Sequence, residues 1–182
     1  AEDGIRDDLV TGVQTCALPI LQTITDYVIE HHSFSTETYE TAHYCLFDSM
    51  GCAMLATSFP SCTKLTGPAV PGATFPNGTP IPGTILKLDP IQAAFSLGTL
   101  IRWLDYNDTW LAAEWGHPSD NFGAILAVAD YMNKQNKLDH HITMKTILTA
   151  AIKAYEIQGI LALKNSFNAV GIDHVILVKI AS

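Results

Sequence analysis

A chain of 182 residues, 48% hydrophobic and 15% charged, has the size and apolar content of one globular domain and too little charge for a disordered one. Its formal net charge of −8 excludes nucleic acid as a partner, because displacing phosphate counterions needs a basic face and no basic stripe occurs. The apolar runs fall short of the ~20 residues of a membrane span, and Cys16, Cys45, Cys52 and Cys62 lack the C-x-x-C spacing of a zinc site, so they read as reduced core thiols of a cytoplasmic protein.

The first segment, "AEDGIRDDLVTGVQTCALPI" (Ala1 to Ile20), has no helical periodicity and resembles the conceptual translation of a sequencing adapter. It is expected to be a non-native leader without function, and residues 21–182 a partial helical domain. From Leu21 the pattern is mainly helical. Leu21 to Glu30 reads as a short helix. Thr36 to Ala56 reads as a longer one, entered through Ser35 as N-cap with Glu37 in the first turn, where a negative charge suits the helix dipole. Tyr39, Ala42, Leu46, Met50, Ala53 and Met54 recur at spacings of three and four and define its apolar face.

Ser58 to Asp89 is rich in Pro and Gly, which makes it a long folded connection with turns at "PNGTP" and "IPGT" and room for a short hairpin. Asp89-Pro90 restarts helix, with an acceptor at the N-cap and Pro where its missing N–H costs nothing. The helix from Pro90 to Leu104 is apolar nearly all round, through Ile91, Ala94, Phe95, Leu97, Leu100 and Ile101, and is therefore expected to be central. Ser119 is expected to cap a helix to about Met132 and Thr143 another to about Leu163, with "KQNKLDHH" turning the chain between them. Asp173 is expected to cap a last apolar run that stops at Ser182, as a truncated reading frame would.

The central helix delivers "NDTWLAAEWGHPSDN" (Asn107 to Asn121). Polar turn-formers explain a loop here, but Trp110 and Trp115 around a titratable His117 fit a cleft wall, which is mostly apolar with a few placed polar groups. Imidazole ionises near neutrality, so His117 is a candidate acid or base that Asp105 or Asp108 can orient. On spacing alone, a His before a Pro is more often a hydrogen-bonded loop residue. His174 follows the cap at Asp173 and reads on its own as a first-turn residue, while His31-His32 and His140-His141 sit at helix junctions suited to the surface. There is no H-E-x-x-H, nucleophile elbow, G-x-G-x-x-G or P-loop.

Together, "IRWLDYNDTWLAAEWGHPSDNFGAILAVADY", "GPAVPGATFPNGTPIPGT", "LDPIQAAFSLGTLIRWLD", "AYEIQGILALKNSFN" and "VGIDHVILVKIAS" resemble the MmgE/PrpD family, in the same order and from about Leu21 to Ser182. The resemblance implies a mainly α fold: the family's all-helical domain, here with a long Pro/Gly-rich loop, its smaller α+β domain absent. It implies a cytoplasmic, dimeric hydro-lyase of propionate breakdown through the methylcitrate cycle, one that removes water from 2-methylcitrate to give 2-methyl-cis-aconitate with no iron–sulfur cluster or other cofactor and no metal. Other branches decarboxylate cis-aconitate or isomerise related polycarboxylates.

In the decarboxylase branch a segment similar to "DYNDTW", followed by His-Pro, supplies an Asp, a Thr and a His. By resemblance these fall on Asp105, Thr109 and His117, with two extra residues between Thr and His in this chain, and a second family His falls on His174. The expected roles are proton exchange at His117, orientation of that ring or binding of the departing hydroxyl by Asp105, donation to a carboxylate by Thr109, and lining of the pocket by His174. A polycarboxylate also needs cations. Arg102 is the only Arg beyond the leader, and most Lys are expected in surface turns, so the 182 residues by themselves are expected to be nearly inactive. The competing reading is a helical binding or oligomerisation module without chemistry.

Overall fold

The computed structural model describes residues 19–30, 33–135 and 139–182; Cys16, His31 and His32 lie outside them. The chain divides into two units, Ala1–Phe34 and Ser35–Ser182. In the first, residues 19–29 form helix α1, tied locally by Gln22 donating to Asp26 across one turn.

The second unit is a helical assembly with one small hairpin. Helix α2 (Thr36–Ala56) starts where Ser35 accepts the Thr38 N–H and carries Glu37 in its first turn. A short helix α3 (Pro60–Thr63) follows, inside the segment expected to be all loop, where Pro60 occupies the first helical position. The expected hairpin is present: β1 (Thr79–Pro80) pairs antiparallel with β2 (Lys87–Leu88), Thr79 opposite Leu88 and Pro80 opposite Lys87. Asp89 then caps helix α4 (Pro90–Arg102), accepting the N–H groups of Ile91 and Gln92.

A 3₁₀ turn (Pro118–Asn121) leads into helix α5 (Phe122–Gln135). Ser119 lies within that turn and does not cap α5; its backbone N–H and hydroxyl are drawn to Asp108 and Asn107 instead. Thr143 caps helix α6 (Met144–Lys164) as expected. A second 3₁₀ turn (Asn168–Val170) precedes a six-residue helix α7 (Ile176–Ala181). Asp173 stands ahead of α7, its carboxylate accepting the Val175 N–H in a local turn.

Helix α4 packs against α2 and α5, and α6 against α2, α5 and α7. Leu100, Ile101 and Phe122 are fully buried at this junction, each removal from water worth about 1.5–3 kcal/mol. The apolar reading of α4 was too broad. Ile91 and Phe95 are exposed, while Ser96 is buried with its Oγ accepting the Gly67 N–H. Met54 likewise leaves the inward face of α2. Helices α4 and α5 approach so closely that a Cβ on Gly123 would lie 2.8 Å from the Ala94 carbonyl oxygen and the Gly98 nitrogen.

By length and composition alone α6 could cross a membrane, against the expectation that no run is long enough. It buries Leu148, Ile152 and Ile157 and places Gln158 in an internal hydrogen bond to Asn121, as the core helix of a domain does. Lys134, Lys145, Lys153, Lys164 and Lys179 lie in helices, not in turns.

Candidate active site

The chain leaves α4 at Arg102 and reverses at Asp105, whose φ of 57° is left-handed. That conformation is rare outside Gly, and Asp is among the few side chains that tolerate it. Arg102 grips the Asp105 carboxylate and also reaches Asp120 at 3.8 Å. The guanidinium holds the exposed Asp105 carboxyl below its usual range, whereas burial pushes Asp120 up despite the same Arg.

Residues 107–121 close on themselves. Trp110 and Gly116 exchange backbone hydrogen bonds of 2.8 and 3.1 Å, and buried Asn107 donates to the Ser119 hydroxyl at 2.8 Å and to Asp120 at 3.0 Å. Asp108 accepts the Ser119 N–H at 3.0 Å. Its backbone carbonyl lies 2.6 Å from His117 Nδ1. A carbonyl only accepts, so Nδ1 carries a proton, and it is Nε2 that can hold or give up the second one. His117 Nε2 is buried without a hydrogen-bond partner, 3.5 Å from an Asp105 carboxylate oxygen. Asp105 therefore faces the reactive nitrogen, and the ring is oriented by the Asp108 carbonyl.

His174 is brought to the same place from the far end of the chain. Its Nδ1 is 3.2 Å from Asp173, and its Nε2 is buried and unpartnered. Trp115 joins the two imidazoles: it lies against His174 with centroids 4.0 Å apart and meets His117 edge-on at 5.6 Å, while the His rings are 6.3 Å apart. Gly116 leaves room for Gln158, whose Nε2 a Cβ there would crowd at 3.1 Å, while His174 Cδ2 would stay at an ordinary contact distance of 3.7 Å. Trp110 instead lies over Gly159 of α6. Thr109 is exposed, next in sequence to the carbonyl that holds His117. His140 and His141 are exposed and away from this loop.

Behind the loop, burial and the Asp108 charge push the Tyr155 phenol far above its usual range. Burial also raises the thiols of Cys45, Cys52 and Cys62, consistent with inert core residues. Sequence reasoning missed three supports. The Asp108 carbonyl leaves no side-chain signal, because any residue supplies one. Gln158, a lone amide among apolar neighbours in "EIQGILAL", was the visible sign of the buried Asn121–Gln158 pair at 2.8 Å. Glu114, 1% exposed, accepts both the backbone N–H and the side-chain amide of Asn168.

Those amides, the Asn168 N–H foremost, depress the Glu114 carboxyl. A depressed carboxyl contributes stability that is fully present above its ordinary value of about 4.3 and is lost as pH falls through the lower folded value. Glu114→Gln should thus flatten the acid limb of the stability curve, measured by urea unfolding from pH 6 downward; an unchanged limb would remove Glu114 from the acid response.

The helical domain thus sets two buried imidazoles, each with a nitrogen that has no hydrogen-bond partner among the described residues, near an arginine-held carboxylate. The chain belongs to the MmgE/PrpD family, whose N-terminal domain matches residues 22–182. It is 58% identical over 161 residues to the 2-methylcitrate dehydratase of Escherichia coli K12, covering 87% of this chain and 33% of that protein. It is 57% identical over 165 residues to the 2-methylcitrate dehydratase of Cupriavidus necator (90% and 34%), and 49% identical over 166 residues to an alkylcitrate dehydratase of a fungal species (87% and 33%). The chain spans about a third of the length of these relatives.

Proposed function

We propose that this chain is the helical part of a 2-methylcitrate dehydratase, a hydro-lyase that eliminates water from 2-methylcitrate to give 2-methyl-cis-aconitate. The observation that carries the reading is the Nε2 of His117, left without a hydrogen-bond partner among the described residues while the Asp108 carbonyl engages Nδ1, and facing Asp105. Identity above half to dehydratases of that name supports the substrate. In this reading His117 Nε2 takes the carbon-bound proton beside a carboxylate and the C–H electron pair becomes the double bond. The hydroxyl departs as water with a proton from a second acid, a role open to His174 when it enters the step as the imidazolium, with Nδ1 toward Asp173 and the transferred proton on Nε2. Asp105 binds the departing hydroxyl, and Thr109, exposed at the rim, donates to a substrate carboxylate.

Substrate carboxylates need cations, and Arg102 is already engaged by Asp105 and Asp120 while Lys134 holds Asp130 and the Gly78 carbonyl. The proposal places the missing cations in the portion of the relatives outside the match, and includes a cytoplasmic homodimer and residues 1–20 as a leader foreign to the domain. The test is to resequence the locus from an independent clone, express the reading frame found there, and analyse the products from 2-methylcitrate beside those of the 182-residue chain. An unsaturated tricarboxylate from the longer frame and little turnover by the shorter chain are expected. Release of carbon dioxide from cis-aconitate would assign a decarboxylase instead, and robust dehydration by the short chain would overturn the division of cations.

A further inference from the structure

The two histidines come from segments that share few ties. His117 belongs to the bridged loop after α4. His174 follows a mostly exposed stretch after α6, with Gly171 at φ 77°, and its own side-chain partner, Asp173, is exposed. α7 fastens the chain only beyond His174, through buried Leu177 and the Ser182 hydroxyl donating to Asn121. Between the loop and the stretch lies Glu114. Its backbone N–H donates to the Ala162 carbonyl at 3.0 Å near the end of α6. One carboxylate oxygen accepts the Asn168 backbone N–H at 2.9 Å and the other accepts Asn168 Nδ2 at 2.7 Å. The next residue is Trp115, whose ring touches both imidazoles.

We propose that Glu114 is a positioning residue: its buried carboxylate clamps the His117 loop to the turn that leads into His174, and so sets the spacing of the two imidazoles across Trp115. The proposal rests on the acid–base reading of the site. A buried carboxylate is an expensive way to satisfy two amides, and among the described residues no Lys or Arg neutralises this one. What it supplies over an amide is acceptance at both oxygens at once, which fixes the turn in position and in orientation. Proton transfer tolerates little error in the placement of its groups, and a displacement of about 1 Å can cost about a hundredfold in rate.

The test reads geometry directly, apart from turnover. Stacked against Trp115, the Cε1–H of His174 resonates upfield through the indole ring current, which a heteronuclear NMR spectrum of the chain resolves. Asn168→Asp puts two carboxylates face to face and should abolish that shielding with helix content retained. The exchanged pair, Glu114→Gln with Asn168→Asp, lets an amide donate to the new carboxylate and still accept the backbone N–H, and should restore most of it. Where Asn168→Asp unfolds the chain, Asn168→Ala removes one donor, keeps the other, and should lose part of the shielding. Shielding unchanged in these single variants, or not restored in the exchanged pair, would overturn the clamp. A clamp that behaves as described in an enzyme with no hydro-lyase activity would sink the reaction and leave the positioning role standing.

Discussion

His117→Asn in the complete enzyme is expected to lower kcat for dehydration by about 10²–10⁴-fold, the usual worth of a positioned acid–base group, with the far-UV circular dichroism unchanged. Asn is chosen because its Nδ2 takes the place of imidazole Nδ1 and still donates to the Asp108 carbonyl, which receives the His117 Nδ1 proton at 2.6 Å, so the loop keeps its internal bond. What it removes is the basic nitrogen facing Asp105 at 3.5 Å. If His117 only ties the loop together, the Asn variant keeps that tie and near-normal kcat follows. The two roles therefore separate in one assay, and near-normal turnover would return His117 to the status of a loop residue.

Gly123→Ala is expected to destabilise the domain by about 1–3 kcal/mol, as overpacking in a rigid setting does, even though Ala is favoured over Gly in a helix by about 1 kcal/mol. The added carbon would sit 2.8 Å from the Ala94 carbonyl oxygen and the Gly98 nitrogen, which are backbone atoms and have no rotamer to escape into. Helix α5 would have to move away from α4, and the turn carrying Pro118 to Asn121 would move with it. Gly98→Ala is the built-in control. A Cβ there meets nothing within 4 Å, so this variant should be neutral or stabilising. Urea midpoints of the two variants decide the matter, and equal midpoints would show that the close crossing is not a constraint.

The parts of the fold that local chemistry writes were legible. Ser35, Asp89 and Thr143 each cap a helix with their own oxygen, and a cap leaves a signature at one position. Ser119 carried the same signature and was misread, because its groups bond to Asn107 and Asp108, partners that arrive only when the loop closes. The outward turn of Ile91 and Phe95 was hidden for a related reason: where a helix is apolar on every side, its neighbours choose the buried face. In the site, His117 and Asp105 stood out as residue types, but which His117 nitrogen is free depended on a backbone carbonyl that no residue type announces. The pairing of His174 with His117 through Trp115 is tertiary and was reachable only through family resemblance.

The bridge across Trp115 also fixes an order of assembly. His117 meets the Asp108 carbonyl across nine residues of chain, whereas Glu114 meets Asn168 across 54. Loop closure grows more costly with the length closed, and contacts between distant segments form late. By that separation, the part holding Asp105 and His117 is expected to take shape with the α4–α5 pair before α6 delivers His174. The chain thus carries His117 in place ahead of its counterpart, and acquires His174 only when α6 and α7 dock.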